Sequence, residues 1–247
     1  MCIYEEVLII GIYMNKKKKE LFIITIIALI FFAIFVAISV IVYNNAGDLS
    51  IDNKVRDYIY DIRGEKYGFL YYLFRILTEF GYLYFVIGVG VIGLIITKVD
   101  RYSLLFIFGY VLSCTLNVVI KMIFNRDRPM EINQWVVDKE SSFPSGHSNS
   151  AGFVLSFIIY YVFKRFNKKS VKYSCLGVGV LLILAVMLSR LVLGMHYLTD
   201  VIAGASLGVV AFAITAYICV IFEHYDIASV GLLDFKGRKN EEDSINS

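Results

Sequence analysis

Proline is nearly absent from this chain, with two residues in 247. A multi-domain protein strung on extended linkers would use more, so one folded unit is expected. Histidine is almost as scarce, at three residues. The four cysteines, Cys2, Cys114, Cys175 and Cys219, have no CxxC spacing, and the last three lie in apolar runs. They read as small core residues, giving no reason for a disulfide or a cysteine metal site. The opening MCIYEEVLIIGIYM is too short to span a bilayer and lacks the form of a signal peptide. Met14, ahead of NKKKKE, is the more natural start. Residues 1–13 therefore read as an upstream start or a disordered extension. No internal repeat is visible.

Apolar residues, by contrast, make up 58% of the chain, and mean hydropathy is +0.70. Several runs exceed the roughly 20 apolar residues that cross a bilayer as a helix. The fold class expected is all-α: a polytopic membrane protein with six transmembrane helices. The spans are drawn at Leu21–Tyr43, Phe69–Thr97, Tyr102–Phe124, His147–Phe163, Val171–Leu193 and Tyr197–Phe222. Residues 1–20 form an N-terminal cytoplasmic segment, 21–222 the six-span domain and 223–247 a polar, disordered cytoplasmic tail. Between the first two spans, Ile51, Val55, Ile59 and Ile62 recur at helical spacing. That segment reads as an amphipathic helix on the membrane surface.

Basic residues set the orientation. With the N-terminus inside, the inner segments carry 14 of the 24 lysines and arginines, among them Lys16–Lys19 and the 164–172 run. The outer segments carry eight. Both termini are therefore expected in the cytoplasm of a multi-pass cell-membrane protein, with loops 125–146 and 194–196 on the extracytoplasmic face. The 164–172 run reads as a topology determinant that also attracts anionic lipid heads. No nucleic-acid partner is expected.

Three polar pieces then fall at the outer ends of spans three to six: KMIFNRDRP (121–129), PSGH (144–147) and SRLVLGMHYLTD (189–200). A charge inside a span costs about 2.5–3.5 kcal/mol on insertion scales, so such residues need a reason. Lys121, Arg128 and Arg190 make a positive pocket suited to phosphate, because arginine forks onto its oxygens. Ser145 can cap span four, and the Gly146 and His147 amides stand at the positive end of that helix dipole. His196 and Asp200, four apart, share a helix face. The carboxylate can fix the imidazole tautomer and leave the other nitrogen free to attack, while His147 protonates a leaving alkoxide. This is a phosphoryl-transfer site that needs no metal and no cofactor.

These residues carry a family likeness. K-x6-RP (Lys121, Arg128, Pro129), PSGH (Pro144 to His147) and SR-x5-H-x3-D (Ser189, Arg190, His196, Asp200) stand in order. The chain resembles the PAP2 superfamily, the type 2 phosphatidic acid phosphatases that share an active site with vanadium haloperoxidases. The likeness covers roughly residues 67–222. It implies that His196 is the nucleophile, forming a phosphohistidine, with Asp200 orienting it. His147 would be the acid and then the base. Lys121, Arg128, Arg190, Ser145 and Gly146 would bind phosphate. Asp127 replaces the proline of many members and is expected to pair with Arg126. The substrate implied is a membrane lipid phosphate: undecaprenyl diphosphate, phosphatidylglycerophosphate or phosphatidic acid. The alternatives are a vanadate-dependent haloperoxidase-like enzyme and a non-catalytic phospholipid-binding or transport protein on the same fold.

Some features have blander explanations. Ser189 can simply brace its turn, and Gly204 and Gly208 are spaced for helix packing. Trp135 fits a position in the interfacial aromatic belt.

Overall fold

The structure is a computed structural model that describes residues 2–45, 49–64, 68–97, 100–129, 135–136 and 140–225, with side chains between residues 17 and 222. Among the described residues all regular structure is helical. The helices are α1 (Cys2–Asn44), α2 (Ser50–Ile62), α3 (Phe69–Thr78), α4 (Leu83–Thr97), α5 (Arg101–Phe124), α6 (Gly146–Arg165), α7 (Lys169–Val192) and α8 (Leu198–Tyr225). A 3₁₀ turn, Glu79–Gly81, joins α3 to α4. Because α1 begins at Cys2, the stretch expected to be a disordered extension is helical and continuous with the first span. Residues 226–247 of the expected disordered tail lie outside the described residues.

Among the described residues, four helices are long and apolar enough to cross a membrane: Lys17–Asn44, Arg101–Phe124, Lys169–Val192 and Leu198–Phe222. A bent pair, Phe69–Gly81 with Leu83–Ile96, makes up to five. The single second span expected from hydropathy is thus broken, with a 47° bend. A Cβ added at Gly81 would lie 2.7 Å from the His147 carbonyl oxygen, so the chain there presses against the start of α6. The helix expected as the fourth span, α6, is not in the apolar group. Its first turn, GHSNS, is polar, and Ser148, Asn149 and Ser150 are buried inside the protein.

α8 is the central helix and packs mainly against α6 and α1, with α5 beside it. Small residues allow this. Added Cβ atoms at Gly204, Gly208 and Gly152 would come within 2.3 Å of the Ser145 oxygen, 2.1 Å of the Asn149 oxygen and 2.5 Å of the Ala205 oxygen. The backbones of α6 and α8 therefore touch directly. Phe106, Phe153, Phe157 and Phe212 fill the adjoining core. Large apolar side chains on the outside, such as Phe22, Leu29, Ile95 and Leu181, are exposed, as befits helices in lipid rather than water. Cys219 is buried, and Cys114 and Cys175 are half-buried free thiols.

Local chemistry sets the helix ends. The Asp100 carboxylate accepts from the Ser103 amide at 3.1 Å and starts α5. Asn125, at φ 38°, ends it in the left-handed conformation. Ser145 caps α6 by accepting from the Ser148 amide. Away from that end of the bundle, Lys164 and the Tyr160 hydroxyl both bond Glu20, tying α6 to α1.

Two sequence expectations change at the site end of the bundle. The apolar stripe of α2 is split: Val55 and Ile59 pack inward, whereas Ile51 and Ile62 are exposed. Trp135 is no belt residue. It is buried with Ile59, Val192, Leu193 and Met195, and its amide donates to the Leu193 carbonyl at 3.0 Å. The Arg63 guanidinium stacks over the Trp135 and Tyr60 rings and donates to the Val192 carbonyl, closing the end of α7.

Gly208→Ala should lower stability by about 1–3 kcal/mol through overpacking. At Gly177, where nothing lies within 4 Å of an added Cβ, the same change should be neutral or slightly stabilising. Thermal unfolding of both variants in detergent checks the pair.

Candidate active site

The site begins where α8 begins. Asp200, in its first turn, is fully buried. Its Oδ2 accepts the Tyr197 amide at 2.8 Å, the reach-back bond of a capping box. The Ser142 hydroxyl donates to the same oxygen. Arg126 donates to Oδ1 at 2.6 Å. The backbone of Asp200 also contributes, because its carbonyl accepts from the Ser145 amide at 3.0 Å and fixes the PSGH segment to α8.

His196 sits just before α8 and is 4% exposed, so the ring is held by protein rather than water. Its Nδ1 is 3.6 Å from Asp200 Oδ2 and 3.5 Å from the Ser142 hydroxyl. The first separation is longer than a hydrogen bond, so the carboxylate steers the ring partly through Ser142. On the other side, Nε2 lies 3.3 Å from Arg128 Nη1. A guanidinium can only donate, so the nitrogen facing it must carry a lone pair and the hydrogen must sit on Nδ1, toward Asp200. That tautomer presents Nε2 as a nucleophile. Burial is the main reason the His196 pKa falls, to about 3, and the charges of Arg128 and Arg190 add to it while Asp200 opposes.

The other predicted residues lie around this ring. Arg128 donates to the Met195 and Glu140 carbonyls, which aim its guanidinium. Lys121 donates to the Ser141 carbonyl at 2.6 Å and lies 3.6 Å from the Glu140 carboxylate. Arg190, 2% exposed, donates to the Thr78 hydroxyl at 2.9 Å. Thr78 is the last residue before the break between α3 and α4, so the bend supplies a partner for a buried cation. Just beyond the break, the Tyr82 ring meets His147 edge-on at 4.8 Å. His147 Nε2 is buried and makes no hydrogen bond among the described residues. Gly146, first in α6, has room: an added Cβ would lie 3.6 Å from its nearest neighbour, Asn117. Ser189 donates to the Val186 carbonyl, as a turn brace does.

Arg126 differs from expectation. Asp127 is exposed, whereas Arg126 is 5% exposed and turns inward to Asp52 and Asp200. It also stacks over the Tyr197 ring at 4.4 Å. Two buried carboxylates attract it more strongly than a solvated neighbour can. Asp52 and Ser142 escape sequence reading altogether. Ser142 stands two residues before PSGH and Asp52 lies on α2, outside every motif. Among the described residues, no group of three or more His, Cys, Asp or Glu side chains comes together in a metal-binding arrangement.

Because the His196 pKa is lowered, the imidazole should stay neutral in folded protein down to pH 5, below the ordinary histidine value of about 6.5. Ring ¹⁵N shifts of histidine-labelled protein in detergent at pH 5 and 7 read this directly. A His196 ring protonated at pH 5 would contradict it.

Residues 102–222 match the family model of the PAP2 superfamily. The chain is 38% identical over 115 residues to phosphatidylglycerophosphatase B of Bacillus subtilis (strain 168), a match covering 46% of this chain and 55% of that protein. The chain thus matches about half the length of this curated relative. Its fold is similar to the crystal structure of the first transmembrane PAP2 type phosphatidylglycerolphosphate phosphatase from Bacillus subtilis. There the TM-score is 0.69 at 25% identity, covering 85% of this chain and 98% of the other. Aquifex aeolicus LpxE shares the fold, with a TM-score of 0.57 at 21% identity over 68% of this chain and 96% of its own. Residues 102–222, just under half of the chain, thus match the PAP2 superfamily model, and K-x6-RP, PSGH and SR-x5-H-x3-D all lie inside that segment.

Proposed function

We propose that this chain is an integral membrane phosphatase that removes phosphate from a lipid through a phosphohistidine on His196, without a metal. One observation carries the reading: His196 is held between an anchored carboxylate, 3.6 Å from Nδ1, and a guanidinium, 3.3 Å from Nε2. A phosphate drawn in by Lys121, Arg128 and Arg190, with Ser145 and the amide of Gly146 beside it, meets that nitrogen directly.

The steps balance as two displacements. Nε2 of His196 attacks phosphorus, the P–O bond to the lipid breaks, and His147 passes its proton to the departing alkoxide. Asp200 offsets the positive charge that grows on the imidazole. A water then gives its proton to His147, attacks phosphorus and releases phosphate, restoring both histidines. The buried His147 Nε2, without a protein partner among the described residues, suits a group whose partner is the substrate.

The membrane arrangement belongs to the same proposal. In this reading α6 is a span lined by other helices and α3–α4 one bent span, which makes six crossings with both termini on the same side; the distribution of basic residues supports the cytoplasm for the termini and the extracytoplasmic face for the site. The names of the relatives make phosphatidylglycerophosphate the first substrate to test, before undecaprenyl diphosphate and phosphatidic acid.

The test is phosphate release by purified protein in detergent with EDTA, across those three lipids. Wild type should turn over at least one, and His196→Ala should lose turnover altogether. Arg190→Lys keeps charge but loses the fork, so about tenfold or more of kcat/KM should go. Gly146→Ala, which fits the fold, separates anion approach from folding: activity should fall while the melting temperature holds. Silence from well-folded wild type on every lipid would overturn the phosphatase reading. Bromide oxidation with added vanadate would point to haloperoxidase chemistry, and lipid transfer surviving in His196→Ala to a carrier.

A further inference from the structure

Asp52 is a carboxylate with no motif to explain it, on a helix that sequence reads as a surface element. It is 1% exposed. Its Oδ1 accepts the Thr199 amide at 2.9 Å, and its Oδ2 accepts the Thr199 hydroxyl at 2.6 Å and Arg126 Nη2 at 2.8 Å. Burying a charge is unfavourable unless every lone pair finds a partner, and here the partners have been assembled. Two of them cap α8, satisfying an amide of its first turn. That part is ordinary architecture.

The third partner does something else. Arg126 uses Nη2 for Asp52 and Nη1 for Asp200, so one cation stands between two carboxylates. The three charges leave a net of one negative, and Asp200 is the member that faces His196. With a neutral group in place of Asp52, the guanidinium would belong to Asp200 alone. The pair would then be electrically closed, and Asp200 would have less attraction for a proton on Nδ1.

We propose that Asp52 is a positioning residue of the reaction, which by sharing Arg126 leaves the Asp200 carboxylate only partly compensated and so able to attract the proton on His196 Nδ1. The inference rests on the roles given above to His196 and Asp200. It makes the α2 helix part of the active site, acting through Arg126 rather than on substrate.

The experiment compares Asp52→Asn, Asp52→Glu, Arg126→Gln and the double variant Asp52→Asn/Arg126→Gln with wild type, in detergent, on the lipid that wild type hydrolyses. Asp52→Asn should lose about ten- to a hundredfold in kcat, the usual effect of a lost outer partner. KM should change less than about twofold, since the phosphate-binding cations are untouched. Asp52→Glu should recover a share of the loss. The double variant should be no slower than Arg126→Gln alone, because Asp52 works through that residue. Unchanged kcat in folded Asp52→Asn would overturn the proposal. So would additive losses in the double variant, or kcat and KM falling with the melting temperature and no rescue by glutamate.

A second readout needs no substrate. The chain has three histidines, so His147→Gln and His224→Gln suffice to assign the His196 ring ¹⁵N signals. At pH 7 wild type should show the Nδ1–H tautomer, and Asp52→Asn should lose it in part. If wild type releases no phosphate, the proposed function fails and this spectrum still decides. An identical tautomer in Asp52→Asn overturns the role of Asp52.

Discussion

The site end of this protein is organised around one buried guanidinium. Arg126 reaches Asp52 on α2, Asp200 and Thr199 on α8, and the Tyr197 ring at the turn between α7 and α8. Its own amide and carbonyl bond Ser141 and Ser142, the residues that lead into α6. Two carboxylates, each 74 residues from Arg126 in sequence and on opposite sides of it, therefore share a single cation. Removing one partner would leave a charge uncompensated in a region closed to water. That is the circumstance in which losing half of an ion pair costs most. The position of the imidazole, and through it the tautomer, depends on this cluster staying complete.

Much of the architecture could be read from hydropathy, because a helix in lipid must satisfy its backbone internally and show apolar side chains outward. The helices α5, α7 and α8 lie within a few residues of the spans drawn for them. Hydropathy misled where side chains face protein instead. The polar first turn of α6 is buried against neighbours, and at the break, Glu79–Gly81, the chain lies close against His147. Periodicity found α2 and its apolar stripe but gave no sign that Asp52 is buried while Ile51, in the stripe, is exposed.

The candidate site was legible to the extent that it is written in short motifs. Lys121, Arg128, His147, Arg190, His196 and Asp200 surround one region, and their order along the chain was enough to pick them out. Partners that belong to no motif stayed hidden. Thr78 meets Arg190, Ser142 meets Asp200, and Asp52 meets Arg126 only because the fold brings distant segments together. A single acidic residue in the first turn of an amphipathic helix looks like any solvated charge until its burial is known. The pairing expected between Arg126 and Asp127 failed for the same reason: adjacency in sequence says little about which carboxylate lies inside.

The glycine contacts between α6 and α8 carry a mechanical consequence. With backbone against backbone at Gly152, Gly204 and Gly208, that pair has no side-chain layer to compress and little freedom to slide. His147 heads one of these helices and His196 precedes the other, so the two imidazoles sit on a common stiff joint. Any movement beside that joint has to be taken up by the surrounding helices. The bent α3–α4 pair, interrupted where Gly81 lies against His147, is one part of that wall.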